Sequence, residues 1–247
     1  MSIIKDGKFI GGEDLSSFLM IGQSNMAGRG NISDVDPITN FRCYMLRNGR
    51  FLRMSEPVNT DRAIFGNGFT SGIGPAPSFA DSFANHFKSR VGLIPCADGG
   101  TYIDDWRCGS ILYDHAVFMA RLAMRSSSLK GILWHQGESD CVNDELVGGY
   151  PQKLCELVKA LRRDLDAPDL PFIAGELSEN IAREWNVDGR VRLFNENLNS
   201  LVGKIPNFAV APSSGLSLKD DGIHFNSASA RVLGARYFEK YLEVIEK

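Results

Sequence analysis

The chain has 247 residues, 43% of them hydrophobic, and a formal net charge of −3 at pH 7. That length suffices for a large buried core, and we expect residues 1–247 to form one α/β domain. Lysines and arginines are scattered, so the charge gives no indication of nucleic acid or anionic membrane as a partner. No apolar stretch is long enough for a transmembrane helix, and residues 1–18 carry charges and glycines in place of a signal-peptide core. We therefore expect a cytoplasmic protein.

Short apolar segments bounded by Gly or Pro alternate with segments of helical periodicity. The apolar segments predict strands, and most are continuously apolar, as in strands covered on both faces. They lie at 18–21, 91–97, 131–135, 171–177 and 207–211. Apolar residues recur at helical spacing in three later segments, at 154–165, 191–202 and 230–245.

This alternation of strands and helices predicts the architecture. A strand–helix–strand order favours a mostly parallel sheet with helices on both faces, so we expect a three-layer α/β/α sandwich around about five strands. Residues 31–77 are rich in Gly, Asn and Pro and fit no regular pattern, so we expect an irregular surface excursion there.

Polar, glycine-containing segments follow four of the five predicted strands. Ser24 follows the first strand, and residues 98–101, 135–140 and 221–224 follow the second, third and fifth. Open α/β sheets bind ligands beyond the carboxyl ends of their strands. We therefore expect these four segments to converge on one edge of the sheet.

Ser24, Asp221 and His224 have the chemistry of an acyl-transfer site. A serine hydroxyl becomes a nucleophile when an imidazole takes its proton, and a carboxylate holds the imidazole in the required tautomer. The Asp-x-x-His spacing puts the carboxylate near one ring nitrogen and leaves the other for the serine. We favour these roles over the alternatives, in which Ser24 only caps a helix and His224 is an ordinary surface residue.

Four segments together form a recognisable set of motifs. They are Gly22-Gln23-Ser24-Asn25-Met26, Gly99-Gly100-Thr101, Trp134-His135-Gln136-Gly137-Glu138-Ser139 and Asp221-Gly222-Ile223-His224. In this order they resemble the successive blocks of the SGNH hydrolases, in particular the sialate O-acetylesterase-like and acetylxylan esterase branch, carbohydrate esterase family 6. The resemblance runs from about residue 18 to the C terminus and implies the flavodoxin-like SGNH hydrolase fold.

The resemblance implies an oxyanion hole. Its donors would be the backbone N–H groups of Ser24 and Gly99, with Gly100 as the second choice for the latter. The wider superfamily offers an Asn side chain from its third block. Gln136 occupies that place here, and we expect its side-chain amide to be the third donor.

The role of Glu138 stays open between two interpretations. It either orients His224, in place of Asp221 or as a second contact, or supports the pocket through His135 or the backbone, and we favour support. Asn25 and His135 are expected to be further supporting residues. A metal site built from His135, Glu138 and Asp140 would lack a distant third ligand, so we expect neither a metal nor a cofactor.

The predicted activity is that of a serine esterase that removes O-acetyl groups from a carbohydrate. We expect Gln23, Thr101 and Trp106 to bind substrate, although the Trp106 ring could equally belong to the core. The expected partner is a small-molecule or oligosaccharide substrate, such as an acetylated xylan-type sugar or O-acetyl sialic acid. The alternatives are a thioesterase or short-chain lysophospholipase on the same fold, or a catalytically silent carbohydrate-binding protein. The oligomeric state is left open.

Overall fold

The computed structural model describes residues 15–60, 71–181 and 189–246, together with the backbone of two N-terminal strands. These strands, β1 (Ile3–Lys5) and β2 (Lys8–Ile10), pair with each other in antiparallel orientation. None of the helices in the described ranges is long and apolar enough to cross a membrane.

A central sheet forms the middle layer, and seven strands of the described chain belong to it. The strands are β3 (Ser16–Gly22), β4 (Cys43–Arg47), β5 (Arg50–Arg53), β6 (Val91–Pro95), β7 (Ser128–His135), β8 (Phe172–Gly175) and β9 (Phe208–Ala211). Their order across the sheet is β5-β4-β6-β3-β7-β8-β9, and each neighbouring pair is parallel except β4 and β5.

The predicted sheet is confirmed, but it is larger than expected. All five predicted strands form, and the two additional strands, β4 and β5, lie within residues 31–77. The expectation of an irregular excursion is therefore wrong for residues 43–53, while residues 61–70 lie outside the described part. The hairpin was missed because β5 is an edge strand whose side chains are exposed or half-buried, so its sequence lacks a continuous apolar run.

Helices cover both faces of the sheet, which confirms the three-layer sandwich. Alternate residues of β3 point to opposite faces, and each set joins a different apolar core. The helices of the described chain are α1 (Ser24–Ala27), α2 (Ala76–Phe87), α3 (Ile111–Met124), α4 (Asp144–Asp164), α5 (Arg190–Asn199) and α6 (Ser227–Ile245). Leu19 and Ile21 pack with α3, α4 and α5, whereas Phe18 and Met20 pack with α2 and α6.

Close packing of two strand ends sets the position of the segment that carries Ser24. Gly22, the last residue of β3, has a φ of +121°, and a Cβ there would lie 2.2 Å from the backbone oxygen of His135. Only glycine fits this contact with the end of β7. The next residue, Gln23, donates its backbone N–H to the same oxygen at 2.8 Å. The segments after β3 and β7 therefore leave the sheet side by side.

Candidate active site

Ser24, His224 and Asp221 form a continuous chain of hydrogen bonds. Ser24 is the first residue of α1, and its Oγ lies 2.9 Å from Nε2 of His224. On the other side of the ring, Nδ1 lies 3.0 Å from Oδ2 of Asp221. A carboxylate can only accept, so Nδ1 carries the proton and Nε2 is left to accept from the serine hydroxyl. The three side chains are arranged for proton transfer from Ser24 to His224.

Ser24 is not a helix-capping residue. The N-cap of α1 is Gln23, and no side chain makes a capping hydrogen bond there. The Ser24 hydroxyl instead makes a hydrogen bond with His224, and the residue is buried. The cap-only alternative is therefore removed.

A compact turn holds His224 in place relative to Asp221. The second carboxylate oxygen of Asp221 accepts the backbone N–H groups of Ile223 and His224, at 3.1 and 3.0 Å. Gly222 has a φ of +70° in this turn, a conformation that favours glycine. The backbone N–H of Lys219 closes the loop by donating to the carbonyl of His224 at 2.8 Å.

The electrostatic environment favours an ionised Asp221 and a neutral His224. Burial alone would raise the pKa of Asp221, but the N–H groups of His224 and Ile223 and the imidazole outweigh burial and hold it at about 2. Burial lowers the pKa of His224. The bond to Asp221 opposes this, while the positive charges of Arg29 and Lys219 add to the lowering. The imidazole is thus prepared to act as a base.

An open cavity of about 770 Å³ adjoins the His224 side of this chain of hydrogen bonds. Most of the residues that line it have polar or charged side chains. The lining includes Arg29, Asn31, Ser33, Lys219, Asp221 and His224. Sequence reasoning missed Arg29 and Lys219, although they stand five residues after Ser24 and two before Asp221.

The geometry around Ser24 leaves room for an oxyanion hole. Among the described residues, the backbone N–H of Ser24 has no hydrogen-bond partner. A Cβ on Gly99 would lie 3.4 Å from Cβ of Ser24 and 2.6 Å from Nη2 of Arg29. The backbone of Gly99 therefore passes close to the serine, and a larger residue at this position would require the Arg29 guanidinium to move. Gly100 has open space on its Cβ side and a φ of +72°.

Gln136 is not available as the third oxyanion donor, and that expectation is wrong. Its side-chain nitrogen carries two hydrogens but already faces three acceptors inside the protein. These are Asp140 Oδ2 at 2.6 Å, the Thr101 carbonyl at 2.8 Å and Gln23 Oε1 at 3.2 Å. Gln136 is 1% exposed. It fastens the segments after three strands to one another.

Glu138 contacts Asn25 rather than His224. Its Oε1 accepts from Nδ2 of Asn25 at 2.5 Å and lies 3.7 Å from Nε2 of His135. Burial raises the pKa of Glu138 to about 7, although the hydrogen bond from Asn25 opposes the shift. Of the two interpretations that the sequence left open, the structure puts Glu138 in a supporting position.

His135 is a buried neutral residue beneath the site. Tyr237 donates its hydroxyl to the carbonyl of Trp134 at 2.6 Å, so it accepts from Nδ1 of His135 at 3.1 Å. Burial lowers the pKa of His135 to about 3. Within the described ranges, no group of three His, Cys, Asp or Glu side chains is arranged to hold a metal ion.

The three residues expected to bind substrate lie inside the protein, so this expectation is wrong. Gln23 and Thr101 are each 2% exposed, and Trp106 is fully buried. Nε1 of Trp106 donates to Oγ1 of Thr101 at 3.1 Å, and its ring packs edge-on against Trp134. Trp106 therefore belongs to the core, as the alternative interpretation predicted, because its ring packs with Trp134 of β7 in the same apolar cluster.

The fold is that of an SGNH-type hydrolase, and comparison with known proteins defines the class further. A model of the family described as carbohydrate esterase, sialic acid-specific acetylesterase matches residues 14–243. The chain belongs to this family. The resemblance to the sialate O-acetylesterase-like branch is thereby confirmed, and the protein is an esterase.

Similar proteins agree with this assignment. The probable carbohydrate esterase At4g34215 of Arabidopsis thaliana is 32% identical in an alignment 246 residues long, and the match covers 91% of this chain and 89% of that protein. The X-ray structure of Arabidopsis thaliana AT4G34215 has a TM-score of 0.81 at 29% identity and covers 92% of this chain and 98% of that chain.

Two more distant structures show the same fold. NanS has a TM-score of 0.72 at 19% identity, with coverage of 96% of this chain and 99% of that chain. XAC1771, a carbohydrate acetylesterase from Xanthomonas citri, has a TM-score of 0.64 at 17% identity. The match covers 92% of this chain and 56% of that chain.

Proposed function

We propose that this esterase removes O-acetyl groups from carbohydrates through an acyl-enzyme intermediate on Ser24. The observation that carries the proposal is the hydrogen-bond chain from Oγ of Ser24 through the His224 ring to Asp221. Its direction is fixed by the carboxylate, which cannot donate a proton to Nδ1. The proposal takes residues 1–247 as one esterase domain, supported by the family match over 14–243.

The proposed reaction has two steps. Nε2 of His224 takes the proton of Ser24 as Oγ attacks the acetyl carbonyl carbon, and the N–H groups of Ser24 and Gly99 hold the developing oxyanion. The imidazolium, stabilised by Asp221, then protonates the departing sugar oxygen. The sugar is released, and Ser24 remains acetylated. Water repeats the sequence, releasing acetate and restoring the serine. The chemistry needs only these side chains and backbone donors.

The substrate class is inferred from the family and the cavity. The family description names a sialic acid-specific acetylesterase, and the Arabidopsis relative is named a probable carbohydrate esterase. Most of the described residues that line the cavity beside His224 carry polar or charged side chains, which can bind the hydroxyl groups of a sugar. Acetylated xylan-type sugars and O-acetyl sialic acid are the two substrates to compare first.

Replacement of the nucleophile tests the mechanism. Ser24→Ala should abolish the hydrolysis of p-nitrophenyl acetate, because the described structure brings no other hydroxyl to Nε2 of His224. Wild-type protein should be labelled at Ser24 by an organophosphonate, as read by peptide mapping. A screen of acetylated xylan oligomers against 9-O-acetyl sialic acid then identifies the preferred sugar.

The control is Ser110→Ala. Ser110 is the N-cap of α3, and its Oγ accepts the N–H of Tyr113. This change removes a hydroxyl that stabilises a helix by about 1 kcal/mol but lies outside the site, so activity should be retained. Near-wild-type turnover in Ser24→Ala, or a phosphonate label on another residue, would refute the mechanism.

A further inference from the structure

The residue next to the nucleophile connects three segments of the site. Asn25 is 5% exposed, and its side-chain oxygen accepts the backbone N–H of Phe225 at 3.0 Å. Its Nδ2 donates to the carbonyl of Ile223 at 3.2 Å and to Oε1 of Glu138 at 2.5 Å. Both amide hydrogens and the amide oxygen are therefore used.

Two of these bonds hold the backbone on either side of the base. Ile223 and Phe225 are the neighbours of His224, so one amide grips the chain immediately before and after the imidazole. The bonds within the loop, such as those made by Asp221, give the loop its shape but do not fix its distance from Ser24. Asn25 does so, because it is bonded covalently to Ser24.

The loop has other attachments to the rest of the chain, but they lie farther from Ser24. Nζ of Lys219 donates to the carbonyl of Arg29 at 3.0 Å, and Oγ of Ser227 donates to the carbonyl of Asn31 at 2.7 Å. Both acceptors belong to the segment beyond α1. Asn25 is thus the buried residue that attaches the loop to the chain beside the His224 ring.

Glu138 determines which way the Asn25 amide faces. The side chain of Glu138 is 1% exposed, and Oε1 accepts from Nδ2. A flipped amide would place its oxygen against Oε1 and against the carbonyl of Ile223, and would lose the bond from Phe225. Glu138, 113 positions away in sequence, therefore makes one orientation of Asn25 much more favourable.

We propose that Asn25 is a positioning residue that sets the distance of His224 from Ser24, and that Glu138 acts through it by fixing its amide. This inference rests on the proposed function, since it assigns a role in proton transfer. Mutation of a residue that orients a reacting group typically lowers activity by about 10- to 100-fold. A small displacement of a catalytic base has a similar effect.

The first experiment compares Asn25→Ala with a matched control, Asn195→Ala. Asn195 is also 5% exposed, and its amide grips both the N–H and the carbonyl of Leu177, at 3.0 and 2.9 Å. Both variants lose a buried amide that binds backbone. We expect kcat for p-nitrophenyl acetate to fall about 10- to 100-fold in Asn25→Ala, with KM little changed. Asn195→Ala should keep wild-type kcat.

The second experiment is a double-mutant cycle with His224→Ala. Esterases without their base retain weak activity from the oxyanion hole and substrate binding, which an activated ester reveals. Because Asn25 acts through His224, Asn25→Ala should cost nothing further in the His224→Ala background. A purely structural role would lower kcat by the same factor in both backgrounds.

Asn25→Asp keeps the size of the side chain and so separates loss of the amide from a defect in folding. Asn25→Asp puts carboxylate oxygens against Oε1 of Glu138 and the Ile223 carbonyl, so kcat should fall at least as far as in Asn25→Ala. Adding Glu138→Gln supplies an amide donor to the new carboxylate and should restore part of the loss. Protein that does not fold with either change at 25 would show a structural role and overturn the proposal.

The remaining outcomes separate this inference from the proposed function. If His224→Ala keeps wild-type turnover, the proposed function fails. If His224→Ala is crippled but Asn25→Ala behaves like Asn195→Ala, only the positioning role fails. An equal loss from Asn25→Ala with and without His224 likewise overturns the positioning role alone.

Discussion

Asp221 and Glu138 are two carboxylates that adjoin the segment carrying His224, and their environments are opposite. The Asp221 side chain is 37% exposed and accepts three N–H groups, from two backbone amides and the imidazole. Its pKa is about 2. Glu138 is almost fully buried, and burial outweighs the hydrogen bonds from Asn25 and from the backbone of Glu138 and Gly137, so its pKa is about 7.

The difference shows that a carboxylate's location near the site does not determine whether it is ionised. Donors around a carboxylate favour its ionised form, whereas burial with few donors favours the protonated form. Asp221 is therefore charged over the whole working pH range and can stabilise an imidazolium at His224. Glu138 is only partly ionised at neutral pH, which suits a group that orients an amide.

The largest expected effect comes from Asp221→Asn. The asparagine would offer its amide to Nδ1 and favour the wrong imidazole tautomer, so kcat should fall by as much as about 10⁴, the loss known for such a change in a serine protease. The control is Asp220→Asn, which alters the adjacent exposed carboxylate and should leave kcat unchanged. The measurement is kcat for both variants with folding checked by circular dichroism.

Glu138→Gln should have a smaller effect on activity, less than about tenfold in kcat, because the amide oxygen can still accept from Asn25. Should this variant be crippled while Asp221→Asn is mild, Glu138 rather than Asp221 orients the base. The double variant shows whether the two carboxylates act independently.

The same Glu138→Gln variant should change how stability depends on pH. The pKa of Glu138 is raised on folding from 4.5 to about 7. Stability from the protonated carboxyl is therefore fully present below about pH 4.5 and is lost as pH rises through about 7. The contribution is on the order of 3 kcal/mol.

Urea unfolding at about pH 5 and about pH 8 measures this loss. The wild-type protein should lose more stability between the two conditions than Glu138→Gln. Asp140, whose burial raises its pKa to about 6, should supply a remaining slope of the same sign. An equal slope in both proteins would show that Glu138 does not titrate in this range.

The smallest expected effect is on the pH profile of kcat/KM. The free enzyme needs neutral His224, so activity should fall on the acid side, at a lower pH than for an ordinary histidine, because burial and two nearby cations lower its pKa. Lys219→Gln removes one of these cations. The acid limb should then move to higher pH, since the imidazolium is less disfavoured.

Lys240→Gln is the control for the pH profile. Lys240 lies on α6 and pairs with Glu243 rather than with the site, so its removal should leave the acid limb in place. A profile that stays flat down to about pH 4.5 would contradict a histidine base. A shift to lower pH in Lys219→Gln would contradict the electrostatic account.

The sequence by itself determined the elements that depend on local periodicity. Five short apolar segments became β3, β6, β7, β8 and β9, because strands that are covered on both faces are mostly apolar. The Asp-x-x-His spacing predicted the contact between Asp221 and Nδ1 of His224, since both residues belong to one four-residue turn. The edge hairpin β4–β5 was not predicted, because an edge strand with exposed or half-buried side chains has no continuous apolar run.

Only the tertiary structure decided which polar groups face the reaction and which hold the protein together. Gln136 and Trp106 have the chemistry of an oxyanion donor and a sugar platform, yet packing enclosed both. Glu138 could have oriented the base, but its carboxylate meets Asn25 instead. Burial and hydrogen-bond partners arise between residues far apart in sequence, and they depend on how layers pack rather than on neighbouring residues.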